Sequence, residues 1–208
     1  MAITNYGELK TAIANWLDRT DLNSKIPDFI TLAEASFFRT LRTPGNEQWV
    51  TYTASSLTTQ TFQIPNDYLS AKVLMYGDKP LTRISDLRYL TLNAQSPVPG
   101  TPKYFCRIKD QLYMYPAADY EADINLVFYQ TQGPMVNDED TTRTLIFAPD
   151  LYLYGALMEA QAYLIGDERI ATWAGKFETI KQSLKSNAID DEVDGSTMSV
   201  SNTYGYGG

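Results

Sequence analysis

The chain contains no histidine and a single cysteine in 208 residues. Histidine is the commonest metal ligand and the commonest acid–base catalyst, so its absence excludes zinc sites built on it and any Ser/His or Cys/His catalytic pair. Cys106 cannot close an internal disulfide. It lies in a strand-like stretch with no base to activate it, and reads as a small buried hydrophobe rather than a nucleophile. No apolar run is long enough to cross a bilayer and the N-terminus has no signal-like stretch, which points to synthesis and assembly in the cytosol without a membrane. Basic residues are also scarce, 17 against 25 acidic ones for a net charge of −8, which argues against a surface built to neutralise nucleic-acid phosphates.

What is present is ample core material, since 44% of the residues are hydrophobic and the length suits one substantial domain or two small ones. The most informative stretch is APDLYLYGALMEAQAYLIGDERIATWAGKFETIKQSLKS, residues 148–186, which reads as two consecutive helices. Pro149 suits a first helical turn, and apolar side chains then run almost all round: Leu151, Tyr154, Met158 and Ile165 on one stripe, Leu153, Leu157, Ala160 and Leu164 on another. Such a helix expects burial, by its own core or by a neighbouring subunit. Tyr152, Tyr154 and Trp173 belong to this packing. Gly166 is the natural residue just past the helix end, and Asp167 can cap the next helix, whose single face carries Ile170, Trp173, Ala174, Phe177, Ile180 and Leu184.

Upstream, Asn5 and Glu8 stand at capping-box spacing before Leu9, Ala12, Ile13, Trp16 and Leu17. Pro27 opens a second helix bearing Ile30, Ala33, Phe37 and Leu41, so residues 1–46 predict a helical hairpin. Residues 47–130 switch to period two and predict six or seven short strands forming an antiparallel sheet or small sandwich. Among them are a strand near Ser70–Tyr76, a hairpin of Lys103–Lys109 and Gln111–Tyr115 turning at Asp110, and Ala122–Gln130 with Ile124, Leu126 and Phe128 on one face. A short helix capped by Ser85 interrupts them and carries Leu87, Leu90 and Leu92.

Residues 131–147 read as an acidic connecting loop, 148–188 as the C-terminal helix pair and 189–208 as an extended arm, disordered when alone. The expectation is an α+β fold in which N- and C-terminal helices meet in a four-helix cluster bearing an inserted β module. The acidic groups Asp138, Glu139, Asp140 and Asp190, Asp191, Glu192, Asp194 lack the glycine placement and spacing of a calcium loop and read as solvated. Tyr104, Tyr113, Tyr115, Tyr120 and Tyr129 suit core packing and subunit interfaces better than a sugar platform. No catalytic residue, metal or cofactor is assigned.

The helix stretch APDLYLYGALMEAQAYLIGDERIATW, preceded by IPNDYLSAKVLMYGDKPL and GTPKYFCRIKDQLYMYPAAD, resembles the adaptor (head-to-tail connector) proteins of tailed bacteriophages, particularly short-tailed ones. The resemblance runs over nearly the whole chain. It implies a non-enzymatic virion protein of the neck, assembled in the host cytoplasm as a dodecameric ring of identical subunits between the portal protein and a tail nozzle or tail-tube protein. DNA passes through the lumen of such a ring without specific binding. By position, the resemblance maps a portal-docking arm onto Asp190, Asp191, Val193, Met198, Val200, Tyr204 and Tyr206. Net negative subunits fit a conduit, since charge facing a channel repels DNA within a Debye length of roughly 8–10 Å. The alternative is a tail-associated receptor- or carbohydrate-binding β module with helices serving as its attachment.

Overall fold

The structure is a computed structural model that describes residues 2–53, 61–95 and 98–193. In chain order the helices are α1 (Tyr6–Leu17), α2 (Ile26–Thr40), α3 (Asp86–Gln95), α4 (Arg143–Phe147), α5 (Pro149–Glu159) and α6 (Arg169–Val193). The strands are β1 (Glu47–Thr53), β2 (Thr61–Gln63), β3 (Tyr68–Tyr76), β4 (Lys79–Pro80), β5 (Thr82–Arg83), β6 (Tyr104–Ile108), β7 (Gln111–Tyr115) and β8 (Asp123–Gln130). These group into two compact units, Met1–Gly45 with Pro134–Gly208, and Asn46–Gly133.

In the helical unit, α1 begins where the Asn5 side chain accepts from the Glu8 amide at 2.9 Å, and Glu8 reaches back to the Thr4 amide and hydroxyl, both at 2.7 Å. Leu9, Ile13 and Leu17 then fall on one buried face. Pro27 lies in the first turn of α2, whose Phe29, Ile30, Ala33, Phe37 and Phe38 are buried. Helix α5 packs against α1, α2 and α6. A helix with neighbours on several sides needs apolar residues all round, which explains its nearly uniform composition. Gly155 sits at the tightest point, where an added Cβ would lie 3.0 Å from the Phe177 ring and 3.1 Å from Ala33.

Three expectations are corrected here. The apolar stripe does not run helically to Ile165, because α5 gives way at Glu159 to a tighter 3₁₀ turn, Ala160–Tyr163. At three residues per turn instead of 3.6, this segment shifts the phase of every following side chain. Residues 131–147 are not all loop, because Thr142 caps α4 by accepting from the Leu145 amide at 3.1 Å. Helix α6 does not stop near Ser186 or 188 but continues to Val193, which makes 189–193, including Asp190, Asp191 and Val193, helical rather than extended. Its buried row Trp173, Phe177, Leu184 and Ala188 is still in helical phase there, and no glycine or proline intervenes before Gly195.

The second unit is a sandwich of two four-stranded sheets ordered β1-β8-β3-β4 and β2-β7-β6-β5. All pairs are antiparallel except β5 with β6, which is parallel. Period-two alternation on β8 sends Ile124, Leu126 and Phe128 inward to meet Leu74 and Tyr76 of β3, and Phe62, Phe105, Leu112 and Met114 of the facing sheet. Helix α3 lies on the β6–β7 face through Tyr89 and Leu92, packed near Cys106 and Tyr115. Leu87 and Leu90 of the same helix are exposed. The helix is a single short layer on a sheet, so only one narrow stripe finds cover, and Tyr89 fills it.

Candidate functional site

Of the residues singled out for helical packing, Leu151, Leu157, Trp173 and Phe177 are buried in the core of the helical unit, while Tyr154 and Met158 are half-buried against it. Tyr154 meets Trp16 edge-on with ring centroids 5.7 Å apart. Ile165 departs from this set. It stands 96% exposed at the tip of the loop between α5 and α6, because the 3₁₀ turn and Gly166, at φ +78, turn the chain outward there.

That loop is held firmly. The Asp167 carboxylate accepts from the Arg169 amide at 2.9 Å and from its guanidinium at 2.7–3.1 Å, while Arg169 also donates to the Trp16 carbonyl at 3.1 Å and lies 5.1 Å over the Trp173 ring. The guanidinium holds the Asp167 carboxyl below its ordinary range. Elsewhere in the same unit, Thr43, Gly45, Arg143, Thr144, Phe147, Leu184, Asn187 and Ala188 line a mainly apolar groove of about 220 Å³. Phe147 on its rim is 72% exposed.

A polar cluster between α2 and α5, with a half-buried carboxyl at its centre, was not legible in the sequence. The Tyr152 hydroxyl on α5 lies 3.1 Å from the Thr142 hydroxyl and hydrogen-bonds to the Glu34 carboxyl of α2. The other carboxyl oxygen of Glu34, Oε1, is buried without a partner. Burial drives its carboxyl up to about 7 against a weaker opposing pull from Tyr152, and burial also raises Tyr152. The available signal was weak: Glu34 adjoins Ala33 on the buried stripe of α2, which makes it a flank residue.

The acidic loop is organised around the start of α1 rather than merely solvated. The Asp138 and Asp140 carbonyls accept from the Gly7 and Tyr6 amides at 2.9 and 2.8 Å, and Lys10 Nζ pairs with Asp138 at 2.6 Å. Asp140 also accepts from the Val136 and Asn137 amides, which lowers its carboxyl. Negative charge beside otherwise unpaired amides at a helix N-terminus is favourable.

In the sandwich, burial pushes the Cys106 thiol up to about 11, with Asp86 adding to the effect. Tyr89 packs on Tyr113 and Tyr115 with centroids 5.5 and 6.5 Å apart, and Tyr120 on Tyr76 at 5.1 Å, so these rings serve packing. Among the described residues no three His, Cys, Asp or Glu side chains gather where they could hold a metal ion. No helix among them is long and apolar enough to cross a membrane. Of the arm residues, Asp190 is exposed near the end of α6, Asp191 and Val193 lie in its last turn, and Met198, Val200, Tyr204 and Tyr206 lie outside the described residues.

Helices from both ends of the chain sharing one core, with a β sandwich inserted between them in sequence, define an α+β protein of split helical domain. The chain belongs to the SU10 adaptor protein family, whose sequence profile matches residues 4–201. No curated protein matches it. Membership marks it as a structural adaptor protein of phage and a component of the virion.

Proposed function

We propose that the protein is a head-to-tail adaptor: a ring of identical subunits, twelve in the reading from resemblance, that sits on the portal, supports the tail nozzle or tube, and gives the genome a lumen to pass through without specific binding. The observation that carries this reading is the family match, which spans both units and extends through residue 201. It therefore includes Asp190, Asp191, Val193, Met198 and Val200 of the proposed portal-docking arm, but not Tyr204 or Tyr206. The net charge of −8 supports a conduit that repels its cargo. The C-terminal arm engages the portal in this account, ordering against its partner and so coupling ring formation to portal binding.

Light scattering of the purified chain with and without its cognate portal tests the proposal. The expected result is a low-mass species alone, a stoichiometric ring on the portal, and at least tenfold weaker attachment after deletion of residues 194–208, with the melting curve unchanged. Absence of association at every salt concentration would remove the adaptor reading, and glycan binding by the isolated chain would replace it with a receptor module.

A further inference from the structure

Two apolar features of the helical unit, the Ile165 loop and the groove beside α4, are comparable in size and carry opposite charges beside them. Ile165 is a branched aliphatic side chain, a knob almost wholly in water, on a loop whose Asp167 and Arg169 bond to each other and, through Arg169, to the Trp16 carbonyl. The groove of about 220 Å³ is lined by Phe147, Leu184 and Ala188, and has room for one such side chain. Glu168 follows the knob and Arg143 lines the groove; both are exposed, and neither forms an ion pair among the described residues. Each carries the charge the other lacks.

We propose that the α5–α6 loop of one copy seats in the groove between α4 and α6 of the next copy, with Ile165 entering it and Glu168 pairing with Arg143. The inference rests on the ring reading above and names the contact that builds the ring. Knob and groove lie near opposite ends of α6, from Arg169 to Asn187, a separation of about 27 Å at the usual helical rise. A contact between two different patches of the same surface is head-to-tail, and its repetition closes a ring when the rotation allows. The apolar insertion excludes water around the ion pair, and the pair fixes direction, since a knob meeting a second knob would set Glu168 against Glu168.

The test is disulfide cross-linking of the full chain carrying both Ile165→Cys and Asn187→Cys, assembled on the cognate portal and oxidised. Buried Cys106 stays silent, and chains with one of the two substitutions serve as controls. The expected result is a ladder of dimers, trimers and larger species, with each single-variant control giving less than a tenth of the adduct. Adding Glu168→Arg should lower the yield about tenfold, and adding Arg143→Glu to it should restore the yield. A product that stops at dimers would mean a two-fold contact and overturn the proposal. A ring that forms on the portal without the 165–187 adduct would overturn it while leaving the adaptor reading intact, whereas a wild-type chain that forms no ring would remove both.

Discussion

Glu34 is the residue with the largest expected effect on pH behaviour. Its folded value of about 7 lies above the ordinary 4.5, so the folded state holds a proton that the unfolded chain releases. That stabilisation is complete below about pH 4.5 and disappears as the pH rises through 7. The carboxyl is partly open to solvent, so the effect is about 1–2 kcal/mol rather than the full value of the shift. Thermal melts should show the melting temperature falling between pH 5 and pH 8, with Glu34→Gln flattening the profile and stabilising the protein at pH 8. A wild-type melting temperature that does not change over this range would show that Glu34 stays ionised in the fold. Leu157, fully buried on α5, gives the opposite type of prediction. Leu157→Asp places an unpaired charge in the core and should cost more than about 4 kcal/mol, leaving the chain insoluble or unfolded by circular dichroism. At this scale the sequence shows apolar periodicity clearly and buried polar pairs poorly, because Glu34 and Tyr152 are neighbours only once α2 and α5 pack.

Among the elements, α5 decides the helical unit. Its all-round apolar character predicts burial from sequence, and burial against α1, α2 and α6 is what the fold supplies. The close approach at Gly155 is not legible, because a glycine inside a helical pattern looks like a simple weakness until Phe177 and Ala33 are seen at 3.0 and 3.1 Å from its missing Cβ. Gly155→Val should therefore destabilise by about 2–3 kcal/mol, more than helix propensity accounts for, through overpacking. Denaturant unfolding measures this, and a loss under 1 kcal/mol would mean that Phe177 simply swings aside. The misread boundaries share a physical cause. A 3₁₀ turn at Ala160–Tyr163 and a helical phase that persists past Ser186 are set by packing, and change no residue type that would announce them. The strands were easier because period two leaves a plain record, as Ile124, Leu126 and Phe128 show on β8. The parallel β5–β6 pair was not, since Thr82 and Arg83 are too short a stretch to carry a pattern.

For the whole molecule, the two ends of the chain share one core while the segment between them forms its own, and both are large enough to fold as units. Such a division would let one unit carry subunit packing and the other present a separate surface, which suits the head-to-tail role proposed above. On the outer face of the first sheet, exposed Trp49 of β1 and exposed Val73 of β3 flank half-buried Val127 of β8 in one apolar row. The family to which the chain belongs gives these surfaces their context, and the head-to-tail role is the central claim. A symmetry-expanded reconstruction of the virion neck tests that claim most directly. The account predicts a ring of copies of this chain between portal and tail, with the lumen open along its axis. Copies found at the tail periphery, or a neck in which another protein occupies that position, would contradict it.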